Sequence, residues 1–194
     1  MRNIVLASAS PRRKEILKSA GYDFVVRPVD VDESIASSNP GELVMELAKI
    51  KAIACLNSLS DNEADSVVVG ADTLVFVDDV QLGKPHSVED WKASLRTISG
   101  RSHEVLTGVC VCYDGNVKTF YSATKVHVAK LSEEDIDECI ARGEDMDKAG
   151  GYAIQGAFSK YITAIEGEYN NVVGFPIAMF REMTQSIMGG NKDV

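Results

Sequence analysis

Nowhere does this chain of 194 residues carry an apolar run close to the roughly 20 residues that a membrane-spanning helix needs. Its first residues hold no apolar stretch before a cleavage site of the kind that marks an export signal, so the expected setting is cytoplasmic, with no membrane partner. Cysteine is scarce and badly spaced for chemistry. Cys55, Cys110, Cys112 and Cys139 make neither a C-x-x-C pair nor a zinc-ribbon pattern, and their apolar surroundings read as reduced core thiols. Histidine is scarcer: His86, His103 and His127 do not cluster at metal-ligand spacing, and His103, at a strand start, reads as a structural hydrogen-bonding residue. Positive charge is in deficit, with 20 Lys and Arg against 29 Asp and Glu, and the net charge of -9 argues against nucleic acid polymers as partners. The absence of any G-x-x-x-x-G-K-[ST] string excludes a P-loop NTPase. No repeat or linker divides the chain, so a single domain is expected over residues 1–188, followed by a flexible tail at 189–194.

What is present begins at the first strand signal. Asn3 to Ala7 (NIVLA) reads as a short buried strand, and Ser10 and Pro11 read as the N-cap and first position of a helix that runs to about Lys18 and stops at Gly21. Within LASASPRRK, a turn ahead of a helix N-terminus aims backbone N–H groups at its contents. Arg12 and Arg13 add positive potential, and the small Ala7, Ser8 and Ala9 leave room for a bulky anion. The local expectation is a polyphosphate cradle, although an isolated Pro-Arg-Arg is more often the solvated first turn of a surface helix.

Tyr22 to Arg27 reads as a strand, and Asp30 to Asn39, with Asp30, Asp32 and Glu33, as an exposed acidic loop. A helix is expected from about Glu42 to Asn57. Val44, Leu47, Ala48, Lys51 and Cys55 share one of its faces, so Lys51 falls inside an apolar stripe, where a lysine either snorkels outward or meets an anion. Ser66 to Val77 is the strongest strand signal, interrupted by Gly-Ala-Asp-Thr. An aspartate in such a run is costly unless paired, hydrogen-bonded or holding a metal, which makes Asp72 the best candidate for a catalytic carboxylate. Gly83-Lys84-Pro85 reads as a stiff turn presenting a lysine. Ser87 to Asp90 opens a helix to about Ile98. Val105 to Tyr113 and Lys118 to Lys130 flank a hairpin signal at Asp114-Gly115, and Ser132 to Ile140 reads as a further capped helix. The glycine-rich segment Asp147 to Gly156, carrying Gln155, suits close approach to a flat ligand. A polar turn at Glu166 to Asn171 and a packing helix from Phe175 to Met188 complete the reading.

Taken in order, SASPRR at 8–13, VDE at 31–33, LAKIKA at 47–52, GADT at 70–73, GKP at 83–85, GRSHEVLTG at 100–108, DKAGGYAIQG at 147–156 and NVVGFP at 171–176 resemble the Maf, or septum-formation-inhibitor, family. The resemblance implies an inosine-triphosphatase-like α/β fold, with an elongated mixed sheet flanked by helices and two lobes with a cleft between them. It also implies a metal-dependent nucleoside triphosphate pyrophosphatase, often a homodimer, that releases the nucleoside monophosphate and diphosphate. Gln155 in YAIQG looks like the branch acting on dTTP and UTP. This chain departs from that branch at Gly151 and Ala153, where AGAYGIQG is usual, and at Phe158 and Ser159, which replace small residues after QG.

Under that resemblance Arg12, Arg13, Lys51 and Lys84 surround a triphosphate, helped by Ser8 and by Ser10, which is also a cap. Glu33 and Asp72 hold Mg²⁺ or Mn²⁺, and Asp72 accepts the proton of the attacking water, directly or through the metal. Thr73, Gln155 and Arg12 are the specificity positions. The amide of Gln155 offers a donor beside an acceptor, matching the O4 and N3–H edge of uracil or thymine. The family name also implies a rival class, a nucleotide-binding regulator of septum formation with incidental hydrolysis. An intact Asp72, Glu33 and basic set favours the enzyme.

Overall fold

In the computed structural model, residues 3–35, 37, 39–143 and 145–188 are described. The strand β1 (Ile4–Leu6) has no solvent face, its three residues being 3%, 2% and 0% exposed. It is flanked on both sides by parallel partners. β2 (Phe24–Val26) pairs Ile4 with Phe24, and β3 (Val67–Val77) pairs Ile4 with Val67. Parallel neighbours need a crossover between them. Helix α1 (Pro11–Ser19) connects β1 to β2, opening as its sequence dictates with the Ser10 side chain accepting from the Arg13 N–H. Helix α2 (Pro40–Leu56) connects β2 to β3. It starts two residues before the expected Glu42, because the Asn39 side chain accepts from the N–H groups of Gly41 and Glu42 and Pro40 suits the first helical position.

The strand expected over Ser66 to Val77 is β3, which runs straight through Gly-Ala-Asp-Thr, and Gly70 is the reason α2 can lie against it. A Cβ on Gly70 would stand 2.3 Å from the Ala48 carbonyl oxygen, and one on Gly108 would stand 2.1 Å from the Val44 carbonyl oxygen. Helix backbone therefore meets sheet backbone at both points, with Ala48 and Ala52 completing the contact on the helix side.

The sheet order is β2-β1-β3-β5-β6-β7, with β4 paired to β3. The three-residue β4 (Val80–Leu82) is antiparallel to β3 across a turn in which Asp78 and Asp79 take φ of 49° and 64°; the sequence signals only the turn. Helix α3 (Val88–Ile98) precedes the hairpin of β5 (Ser102–Tyr113) and β6 (Asn116–Val128), whose two-residue turn places Asp114 and Gly115 at φ of 47° and 73°. After α4 (Glu133–Arg142), β7 (Ile162–Glu166) lies antiparallel to β6, pairing Val126 with Ile165. No strand was expected there, since ITAIE is short and half exposed.

The C-terminal segment also differs from expectation. Part of the polar turn is the short helix α5 (Tyr169–Val173), and α6 (Ile177–Met188) begins two residues after Phe175. Proline at 176 disfavours a helical residue before it, which leaves Phe175 outside the helix. The expected tail at 189–194 lies outside the described residues.

Contacts divide the chain into two compact units, one running to Asp72 and including Thr107–Ser122 and the chain from Gly174, the other comprising Thr73–Leu106 and Ala123–Val173. In the first, Val5, Ala7, Ala48, Ala52, Cys55, Val68, Cys110 and Cys112 form a core cluster, with the sulfurs of Cys110 and Cys112 3.8 Å apart. All four cysteines are free; Cys139, in the second unit, is only half-buried. The second unit is built around Trp91, Leu95, Ile98, Ile136, Tyr152, Phe158 and Tyr161.

Gly108→Ala should lower stability by about 2–3 kcal/mol, as overpacking of a tight contact does. Urea denaturation checks this, and an unchanged midpoint would show that α2 shifts freely on the sheet.

Candidate active site

The first unit gathers most of the expected site at the end of β1. The Ala7 N–H donates to the Val69 carbonyl at 2.8 Å, extending the register of β1 and β3 to the edge of the turn. Ser8, next in the chain, is buried and accepts twice on Oγ, from the Ser10 N–H at 3.3 Å and from Arg13 Nη1 at 3.1 Å. Arg13 Nε donates to the Gly174 carbonyl at 2.9 Å, so this guanidinium is held from two sides. Burial lowers the Arg13 pKa; Asp72 opposes that fall, Arg12 adds to it and Glu33 opposes it, so Arg13 sits in the field of all three. Arg12 is half-buried, and its Nε has no acceptor among the described residues. A guanidinium N–H in that state suits an anionic ligand.

Lys51 stands where α2 crosses β3. Its ammonium is 2.5 Å from Asp72 Oδ1 and 2.9 Å from Glu33 Oε1, with the Lys51 and Asp72 side chains only 14% and 12% exposed. The choice left open by the sequence is thereby decided: this lysine has anionic partners rather than a route to solvent. Alternation along a strand puts Asp72 on the same face as Gly70, and Gly70 is where the helix backbone touches. Of the acids in the preceding loop, Glu33 reaches the cluster. Asp32 instead accepts from the Ser34 N–H, and hydrogen bonds from the Ser34 side chain and then its N–H hold its carboxyl below the usual range.

Thr73, Lys84 and Gln155 belong to the second unit. Thr73 is half-buried on β3, whereas Lys84 and Gln155 are exposed. The loops carrying the last two are bonded through the Gly150 N–H and the Gly83 carbonyl at 3.0 Å. The glycine-rich segment is partly a 3₁₀ turn, Ala149–Gly151, and its close approach is to protein. Gly151 has φ of 71°, a Cβ there would lie 2.5 Å from Trp91 Cδ1, and Trp91 Nε1 donates to the Gly151 carbonyl at 2.5 Å. The departure at Gly151 thus has a packing partner.

Sequence reasoning placed His103 in a structural hydrogen bond, and its Nε2 lies 2.6 Å from the Tyr152 hydroxyl oxygen. Burial lowers the His103 pKa to about 4, with His127 adding a smaller push, and burial raises that of the Tyr152 phenol. Trp91 was not singled out from the sequence; it shares a helical stripe with Leu95 and Ile98. The asparagine of NVVGFP is also structural: buried Asn171 donates from Nδ2 to the Val105 carbonyl and to Thr124 Oγ1.

No group of three or more His, Cys, Asp or Glu capable of holding a metal by itself occurs among the described residues. Two carboxylates do converge, on the Lys51 ammonium. Two hard oxygen donors suit Mg²⁺ or Mn²⁺ when phosphate oxygens and water complete the shell.

A mixed parallel and antiparallel sheet, with arginines, a lysine and paired acids gathered in one unit, describes an α/β protein with a concentrated charge cluster. The family model described as Maf-like protein matches residues 3–187, and the chain belongs to that family. It is 45% identical over 187 residues to the dTTP/UTP pyrophosphatase of Bacillus cereus (strain ZK / E33L), covering 95% of this chain and 96% of that one. It is 44% identical over the same length to the dTTP/UTP pyrophosphatase of Bacillus anthracis. Among solved structures it is similar to the Staphylococcus aureus Ham1 protein, with a TM-score of 0.55 at 14% identity, covering 96% of this chain and 100% of that chain. The mixed α/β fold expected from the sequence is the one found.

Lys51→Met should cost about 2–4 kcal/mol by stranding Asp72 without its partner, and Lys51→Met with Asp72→Asn should cost less than Lys51→Met alone. Denaturant midpoints of the four proteins in the cycle decide it, and a neutral Lys51→Met would contradict it. A second test uses pH. His103 binds its proton at about 4 when folded and near 6.5 when unfolded, so the unfolded chain holds more protons between those values and stability falls as pH drops through that window. His103→Gln should make this decline shallower in pH-dependent unfolding curves.

Proposed function

We propose that this chain is a dTTP/UTP pyrophosphatase, hydrolysing the bond between the α and β phosphates to give the nucleoside monophosphate and diphosphate. The observation that carries the reading is the convergence of Glu33 and Asp72 on Lys51, in the field of Arg13, at the start of a helix whose first turn also holds Arg12. The names of the relatives at 44–45% identity supply the substrate.

In the reaction a water oxygen forms a bond to the α phosphorus, the bond from that phosphorus to the bridging oxygen breaks, and diphosphate leaves. Asp72 takes the proton from the attacking water. Arg12, Arg13 and Lys51 bind phosphate oxygens and offset the charge that builds on the leaving group, and Lys84 does the same from its exposed loop. Ser8 and Ser10 line the turn; Ser8 also orients Arg13 through its 3.1 Å hydrogen bond. Glu33 and Asp72 would hold the divalent ion, Mg²⁺ or Mn²⁺, which when bound neutralises phosphate charge. Gln155 reads the O4 and N3–H edge of the pyrimidine, with Thr73 and Arg12 as further specificity positions. The reading includes a cytoplasmic homodimer, whose mass light scattering checks.

The test is to incubate the purified protein and Mg²⁺ with a panel of nucleoside triphosphates and identify the products by ion-exchange chromatography. UMP and dTMP with diphosphate are expected from UTP and dTTP, well ahead of the products of other nucleotides. Asp72→Asn should lower turnover by about 10²–10⁴-fold while leaving nucleotide affinity largely intact. Release of inorganic phosphate and nucleoside diphosphate would place the cleaved bond elsewhere. Binding without any product would favour the regulatory class.

A further inference from the structure

Trp91 is the chain's single tryptophan, and it is spent on a buried polar contact. Its indole Nε1 donates to the carbonyl of Gly151, while its ring fills the space that any Cβ at 151 would need. The next residue, Tyr152, is 5% exposed and bonded through its hydroxyl to His103 Nε2 at 2.6 Å. The Tyr152 ring meets the His103 ring edge-on at 5.2 Å and Phe158 at 4.8 Å. Phe158 packs in turn on Tyr161, whose hydroxyl donates to Asp135 at 2.9 Å. Exposed Gln155 therefore rides on a short span with buried anchors on either side, Gly151 and Tyr152 before it and Phe158 after it.

Two of these anchors are hydrogen bonds in places where apolar packing alone would bury the same area. A buried N–H or hydroxyl fixes the direction and height of its partner, which dispersion contacts do not. What that precision sets is the backbone three and four residues before the side-chain amide of Gln155.

We propose that Trp91 and the His103–Tyr152 pair are positioning residues for base selection, holding the segment so that the Gln155 amide meets the pyrimidine edge in register. This rests on the assignment of Gln155 to the base made above. None of the three touches substrate; they act through the placement of Gln155.

The experiment compares UTP with CTP, which differ at the edge in question, in wild type, Trp91→Phe, Tyr152→Phe and Gln155→Glu. Trp91→Phe keeps a ring but removes the donor to Gly151, and Tyr152→Phe removes only the hydroxyl; if the first fails to fold by circular dichroism, the second decides. Each is expected to lower the ratio of kcat/KM for UTP over CTP by about tenfold. The loss should enter through KM, with kcat for UTP held within about twofold, and the inhibition constant for inorganic triphosphate should not move. Trp91 fluorescence in the wild type should shift on adding UMP and not on adding inorganic triphosphate. An unchanged UTP-to-CTP ratio in both Phe variants, alongside a lowered one in Gln155→Glu, would overturn the proposal while sparing the base-reading role. A parallel loss of triphosphate affinity would also overturn it, since general loosening would then account for the effect. An unchanged ratio in Gln155→Glu would remove the base-reading role itself, and this proposal with it.

Discussion

Direct contact between the backbone of α2 and the backbone of two strands is the constraint on which the site depends. Gly70 and Gly108 leave no side chain in the way, and Ala48 and Ala52 complete the approach from the helix. A helix seated that closely carries Lys51 down to the sheet, one residue before Ala52, while Asp72 lies two residues beyond Gly70 on the same face of β3. The 2.5 Å ion pair is the geometrical result of the seating. Were α2 held off by the usual side-chain layer, the ammonium would stand too far from the strand to meet both acids.

The same closeness explains how a chain of net charge -9 keeps a basic cluster. Lys51 is paired with both acids and Arg13 lies in their field and is hydrogen-bonded, whereas the buried Nε of Arg12 has no acceptor among the described residues. Arg13 shows the balance: burial lowers its pKa while Asp72 and Glu33 work against that fall, and Ser8 and Gly174 fix its fork in place. Charges held this way need little reorganisation when a polyanion arrives, which is the condition for strong electrostatic stabilisation of a leaving phosphate.

In the other unit order comes from aromatic rings instead of charge. Trp91, Tyr152, Phe158 and Tyr161 form a chain of contacts whose polar tips each find a partner, in Gly151, His103 and Asp135. Glycine at 151 admits the indole at a distance that alanine would forbid. A segment that reads as a loop is thus anchored residue by residue, with its exposed amide carried on a supported stretch.

Elements with strong local signals were legible without coordinates. The cap at Ser10, the Asp114-Gly115 turn, the apolar stripe of α2 and the long β3 follow from backbone preference and periodicity alone, because those interactions are satisfied within a few residues of chain. So was the need of Asp72 for a partner, since the cost of burying a lone charge is independent of the fold, whereas Lys51 was left between snorkelling and an anion. β4 and β7 escaped because strands of three and five residues draw their pairing from a neighbour rather than from their own pattern. Which residue answers Lys51, that Gly70 is a seat for a helix, and that the glycines at 150 and 151 face protein were settled by tertiary structure. Each depends on contacts between segments far apart in the chain, and a linear sequence specifies which side chains are available but not the distances between them.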